Sequence, residues 1–289
     1  MSDYVLQQCD YRELLGAVAA AGGCDLVLTS PPYDDARTYG AAVSWAMDDY
    51  RVLGDAVFAA LAPGGHCLMV LDGPVREWRK GFGTERSFTP WRVMLDWAER
   101  VGFRVPDRLA YGRHGVPGAY YGRFRNDWEP LLWFQRPGAR GCFDRWPLVE
   151  KAKYDGRGGT GGNRTRAGDI ETRRRSGRAV EEGVRHRGTY WNYGSVGSGR
   201  DPIGEATDHP ARFFLPFAED AVHCFCRPDG LVVDPFVGSG TSLVAAVRHG
   251  RRFVGGDALV RPVDGRPWVD VAEARLLADC ARRKEESAT

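Results

Sequence analysis

The stretch that decides the fold is Gly230-Leu231-Val232-Val233-Asp234-Pro235-Phe236-Val237-Gly238-Ser239-Gly240-Thr241, continuing through Ser242-Leu243-Val244-Ala245-Ala246-Val247-Arg248-His249-Gly250. A short apolar run ending on an acid reads as a buried strand. Thr241 to His249 reads as a helix, with Gly250 as its left-handed cap. Glycines in the turn between them let the backbone approach a ligand closely, and the helix N-terminus favours a negative group there. Asp257 ends the next strand, Arg252-Phe253-Val254-Gly255-Gly256-Asp257, where a carboxylate can accept hydrogen bonds from ribose hydroxyls. Two other nucleotide-binding signatures fail on residues. A nicotinamide-type fingerprint requires glycine or alanine where Leu243 stands, and a P-loop requires a Gly-Lys-Ser/Thr that does not follow Gly238.

Towards the N-terminus, Asp25-Leu26-Val27-Leu28-Thr29 is a second apolar strand, halted by Ser30-Pro31-Pro32-Tyr33. Two prolines cannot continue a central strand, so a rigid loop starts there, where open α/β sheets place their ligands. Residues 4–33 read as strand, helix (Tyr11 to Ala21), strand and loop. Tyr50, Leu53, Val57, Phe58 and Leu61 give 47–62 helical periodicity, which Pro63-Gly64-Gly65 ends before a strand from His66 to Leu71. Pro90 to Arg100, Pro216 to Cys226 and Val269 to Arg283 read as helices, and Glu129 to Phe134 as a strand. Strands alternating with helices predict an α/β fold with a mostly parallel sheet.

With 289 residues and 43% hydrophobic content, the chain can bury a sizeable core. No stretch reaches the length of an apolar membrane span, and Met1-Ser2-Asp3-Tyr4 begins nothing that reads as a secretory signal. Seven scattered cysteines suggest a reducing, cytoplasmic setting. His223-Cys224-Phe225-Cys226 has metal-like spacing but no second pair at zinc-site distance, so it reads as a segment facing an apolar layer, and no metal is expected.

Composition shifts between Arg136 and Asp208, a segment rich in Gly, Arg, Thr and Ser and poor in aliphatics. Between Lys151 and Tyr190 there are eleven basic and five acidic residues, a local balance of +6 in a chain whose net charge is +2. A basic block in a near-neutral protein suggests a polyanionic partner, and the run Arg173-Arg174-Arg175 is expected to meet phosphates.

The two motifs together resemble those of the DNA amino-methyltransferases, whose pattern is Ser/Asp/Asn-Pro-Pro-Tyr/Phe plus Phe-x-Gly-x-Gly. Because the Pro-Pro-Tyr motif precedes the glycine motif, the order is similar to that of the permuted, beta group. Further segments match: Cys9-Asp10-Tyr11-Arg12-Glu13-Leu14-Leu15, Asn126-Asp127-Trp128-Glu129-Pro130-Leu131-Leu132, and His209-Pro210-Ala211-Arg212-Phe213. Phe214 stands where the family usually has Pro, and Asp257 where it often has Glu. The resemblance covers roughly 1–136 and 205–285.

It implies a Rossmann-like class I S-adenosylmethionine-dependent fold: a catalytic part over 1–136, a target-recognition insert over 137–208 and a cofactor part over 209–289. Asp10, Thr29, Asp234, Phe236, Gly238, Gly240, Thr241 and Asp257 are the candidate contacts of S-adenosyl-L-methionine, with Asp10 at the adenine. Ser30, Pro31, Pro32 and Tyr33 are the candidate catalytic residues. The implied substrate is double-stranded DNA, with the target base flipped out and stacked on Tyr33. Serine at the first motif position favours the N4 amine of cytosine over the N6 amine of adenine. A catalytically inactive DNA-binding relative is the reading from another class. A cognate restriction endonuclease is a candidate partner, and either a monomer or a homodimer is compatible with the sequence.

Overall fold

Eight strands form one mixed sheet in a computed structural model that describes residues 3–33, 45–79, 83–114, 124, 126–152, 162–164, 166–172, 182–195 and 214–288. The first strands are β1 (Tyr4–Gln7), β2 (Cys24–Thr29) and β3 (Leu61–Val70), and the short hairpin β4 (Val75–Arg79) and β5 (Gly83–Arg86) follows. Then come β6 (Arg108–His114) and β7 (Trp128–Gln135). Four short strands, β8 (Val149–Lys151), β9 (Gly162–Arg164), β10 (Ile170–Thr172) and β11 (Val184–His186), precede β12 (Tyr190–Ser195), β13 (Leu231–Asp234) and β14 (Arg252–Gly256). The main sheet runs β1-β14-β13-β2-β3-β7-β6-β12, parallel from β1 to β3. β7 is antiparallel to both its neighbours, and β12 is parallel to β6.

The helices are α1 (Tyr11–Ala20), α2 (Met47–Ala60), α3 (Thr89–Asp96), α4 (Leu215–Phe225), α5 (Thr241–Arg248) and α6 (Trp268–Ala288). Period-two alternation sorts the central strands into two faces. Val27, Cys67, Met69, Leu132, Phe134 and Val233 join the core formed with Leu14, Leu15, Leu53, Val57 and Val93 of the first three helices. On the opposite face Phe225 of α4 meets Trp133 and His66, with ring centroids 5.1 and 5.4 Å apart. Buried Cys224 and Phe225 sit on α4, which accounts for the apolar character of the segment with metal-like spacing.

The helix expected over 47–62 stops at Ala60, and the strand expected from His66 begins at Leu61. Gly64 adopts φ +84° and its N–H donates to Arg136 O, while Arg136 N donates to Gly65 O. The Pro-Gly-Gly segment is therefore a bulge inside the strand: glycine takes the left-handed conformation, and Arg136, directly after β7, supplies the partners.

The chain divides into two compact units, Met1–Phe143 with Thr189–Thr289, and Asp144–Gly188. The second unit contains two antiparallel pairs, β8 with β11 and β9 with β10. Its aliphatic content is low. Leu148 is buried, Trp146 packs edge-on to His186, and Arg185 pairs with Glu150 at 2.8 Å. Within the compositionally distinct stretch from Arg136 to Asp208, Tyr190–Ser195 belongs to the first unit as an edge strand of the main sheet.

Candidate active site

The chain leaves β13 for its neighbour β14 on one side, and leaves β2 for its neighbour β3 on the other. The β13–β2 junction is therefore a topological switch point, where a crevice opens at the carboxyl ends of the strands. Four of the five parallel strands lead into a candidate residue at this edge. Asp10 follows β1, Asp257 follows β14, the turn Pro235 to Gly240 follows β13, and Ser30 follows β2. Adjacent strands lie about 4.8 Å apart, so the row spans about 14 Å.

Thr29 and Asp234 are the last residues of the two strands that flank this junction. Both are buried, and Thr29 Oγ1 donates to Asp234 Oδ1 at 2.7 Å. Asp234 Oδ1 also accepts from Phe236 N at 3.1 Å, and its Oδ2 from Ser242 Oγ at 2.5 Å. Burial pushes the Asp234 carboxyl up to about 6 against these three bonds. Asp234 thus fastens both ends of the turn, tying it to the helix that follows and to the neighbouring strand.

The turn uses its glycines in two ways. Gly238 has φ +47° and its N–H donates to Asp257 Oδ2 at 3.0 Å, while Leu259 N donates to Oδ1 at 2.9 Å. Asp257 is also buried, which pushes its carboxyl up to about 6. Each carboxylate oxygen keeps a second lone pair beyond the backbone bond it holds. Gly240, at φ +79°, is the N-cap of α5, and a Cβ there would sit 2.7 Å from Ala272 Cβ on α6. Its missing side chain lets a helix pack closely. From that same helix Arg275, almost fully buried, donates to Ser239 O at 3.0 Å and Thr241 Oγ1 at 2.9 Å.

Phe236 packs against Tyr11 and Trp45, with both ring centroids 5.4 Å away, and Trp45 meets Tyr50 edge-on at 5.2 Å. Asp10 caps α1 by accepting from Arg12 N at 2.9 Å, and its carboxylate is paired with the Arg12 guanidinium, which holds it below the usual carboxylate range.

At the other end of the row Ser30 is half-buried, and Pro31, Pro32 and Tyr33 are buried. The loop is held from below. Trp97 Nε1 donates to Tyr50 O at 2.9 Å, and Tyr50 Oη donates to Pro32 O at 2.8 Å. Gly54 makes room for this strut, since a Cβ there would lie 2.5 Å from Trp97 Nε1. Ser30 Oγ reaches Tyr33 Oη at 3.4 Å, and Tyr33 Oη reaches Glu129 Oε2 at 3.3 Å. Sequence alone does not reveal the roles of Trp45, Tyr50, Glu129, Ser242 and Arg275. Glu129 lies within one of the family-like segments, but nothing local ties it to Tyr33. Arg173, Arg174 and Arg175, and His209 to Phe213, lie outside the described residues.

A row of acid, acid, glycine turn and polar loop along one carboxyl edge suits an elongated nucleoside carrying a charged tail. This fold and this site define a class I S-adenosylmethionine-dependent methyltransferase. Residues 24–259 match the family model of N6_N4_Mtase DNA methylases, and the chain belongs to that family. It is 26% identical over 258 residues to the orphan methyltransferase M.BamHII of Bacillus amyloliquefaciens, covering 88% of this chain and 90% of that one. It is 25% identical over 285 residues to the type II methyltransferase M.ScaI of Streptomyces caespitosus, covering 96% and 83%. Among solved structures, PvuII DNA methyltransferase (cytosine-N4-specific) superposes with a TM-score of 0.62 at 18% identity, over 95% of this chain and 86% of that one. The complex of M1.HpyAVI with S-adenosylmethionine does so at 0.56 and 17%, over 94% and 100%. The protein is an S-adenosylmethionine-dependent DNA methyltransferase. Among the described residues no helix is long and apolar enough to cross a membrane.

Proposed function

We propose that the protein methylates the exocyclic N4 amine of cytosine in double-stranded DNA at a specific sequence, after flipping the base. The observation that carries this reading is Ser30 at the carboxyl end of β2, next to the glycine turn across the switch point. In this reading Asp10 receives the adenine end of the cofactor and Asp257 the ribose hydroxyls. Phe236 and the turn from Gly238 to Thr241 line the remainder. S-adenosylmethionine supplies a methyl group already activated on a sulfonium.

Flipping the base out of the stack costs a few kcal/mol. An exocyclic amine shares its lone pair with the ring and is a poor nucleophile. Ser30 Oγ and the Pro31 carbonyl each accept one N–H of the amine, which localises the lone pair and orients it, a positioning effect. The proton leaves once the nitrogen has become cationic, so no strong base is required. A serine in this position favours cytosine N4, and adenine N6 is the competing target.

The test is to incubate the protein with unmethylated DNA and S-adenosylmethionine, digest the DNA to nucleosides and separate them. N4-methylcytosine is the expected product. N6-methyladenine would replace the target while leaving the site assignment intact, and the absence of both would overturn the reading.

A further inference from the structure

Glu129 is a buried acid that the mechanism above does not use. Buried carboxylates are uncommon and need partners. One partner here is distant in sequence: Tyr33 Oη donates to Glu129 Oε2 at 3.3 Å, across 96 positions of chain. Tyr33 Oη is in turn the acceptor for Ser30 Oγ at 3.4 Å. The sheet explains the meeting. β7 is antiparallel to β3, so its N-terminal residues arrive at the edge where the parallel strands end, and Leu71 N donates to Pro130 O there.

We propose that Glu129 is a positioning residue for methyl transfer, setting the direction of the chain Ser30–Tyr33–Glu129 so that Ser30 turns its lone pairs, not its proton, towards the target amine. The inference rests on the reading of Ser30 above. A carboxylate can only accept, so it takes the single phenolic proton of Tyr33. The Tyr33 oxygen then accepts, and the hydroxyl proton of Ser30 is directed inwards. What Ser30 presents outwards is an acceptor, as an amine that must give up an N–H requires. A serine free to rotate could instead donate to the amine nitrogen and occupy the lone pair that has to react. Both links are longer than the 2.7–2.8 Å typical of O–H···O bonds, and such bonds in active sites tighten when substrate binds.

Glu129→Gln tests this with nearly the same shape, because the amide nitrogen can donate to Tyr33 and reverse the chain. In single-turnover methylation of duplex DNA, the rate is expected to fall at least about tenfold, with S-adenosylmethionine affinity, KM for DNA and Tm at wild-type values. Tyr33→Phe cuts the same chain, so adding Glu129→Gln to it should slow the enzyme no further. Glu129→Asp, which keeps an acceptor-only group, should recover part of the rate. A Glu129→Gln enzyme at full rate overturns the inference, as does a slower rate matched by a lower Tm and weaker cofactor affinity, or an additive double variant. None of these touches the reading of Ser30, whereas a fully active Ser30→Ala enzyme would remove both.

Discussion

Thr29 Oγ1 donates to Asp234 Oδ1 at 2.7 Å, joining the last residues of two neighbouring parallel strands at the point where the sheet reverses its winding. One bond thereby connects the loop that would hold the target amine to the turn that would hold the methyl donor. Thr29→Val keeps the shape and deletes the donor, leaving a buried carboxylate one bond short. The expected cost is about 1–3 kcal/mol of stability, read as a lower urea midpoint at unchanged slope. A midpoint equal to wild type would mean the bond contributes nothing.

Ser30 follows β2, across the switch point from the glycine turn that follows β13, and its proposed role is towards the target amine and not the cofactor. Ser30→Ala should reduce turnover by about a hundredfold, typical of deleting one transition-state hydrogen bond, while cofactor affinity by calorimetry is retained. Wild-type turnover in this variant would exclude Ser30 from the chemistry.

With Asp257 receiving the ribose hydroxyls as proposed, cofactor binding should depend on pH, and so should the stability that Asp234 and Asp257 contribute. Burial raises both from an ordinary value of 3.8 to about 6. A raised carboxyl contributes stability that is fully present below its unfolded value and is lost as pH rises through about 6. The folded, ligand-free protein therefore gains stability from these two groups on acidification through that window. Cofactor affinity should run the other way, because ribose hydroxyls donate best to an ionised Asp257. Calorimetric titrations should give weaker binding as pH falls through about 6. Asp257→Asn should bind weakly at neutral pH, with most of that dependence gone. An identical pH profile in the variant would assign the effect elsewhere.

The strands β2 and β13, the proline loop and the glycine turn were legible because each is local: an apolar run, then residues that stop it. What joins them was not legible. Asp234 reads as the end of a strand, and nothing nearby reveals that Thr29, 205 positions away, is its donor. Tyr50 reads as a core position of α2, yet its hydroxyl holds Pro32 O. Gly240 reads as a ligand-facing glycine, and the space beside its bare Cα is instead filled by α6. β12 was hidden because a parallel edge strand far along the chain takes its register from β6, and its own six residues, Tyr190–Ser195, carry little aliphatic pattern.

Two glycines predict opposite outcomes for the same change. Gly16 lies inside α1, exposed, and a Cβ added there would meet nothing within 4 Å, so Gly16→Ala should stabilise the protein by about 0.5–1 kcal/mol. Gly240→Ala meets the α6 backbone 2.9 Å away and a left-handed φ of +79°, so it should destabilise by more than that and loosen the turn. Thermal melts with and without S-adenosylmethionine separate the two effects. Equal melting temperatures for both variants would contradict the packing seen between Gly240 and Ala272.

Arg173-Arg174-Arg175 should hold DNA without reading it. Three consecutive cations in a segment with few aliphatics suit phosphate binding better than a core. They are too closely spaced for three separate bidentate bonds to bases. Phosphate binding releases counterions and acts on every sequence alike. Replacing all three by alanine should therefore weaken binding to specific and random duplexes in parallel. The log–log salt dependence should flatten by about 0.9 for each phosphate no longer neutralised. Affinities for both duplexes across a salt series decide the matter. An unchanged slope makes the run a bystander. A weaker sequence preference at constant non-specific affinity would instead show that these arginines read bases, because only a bond to a base edge distinguishes one sequence from another while leaving the ionic part of the binding untouched.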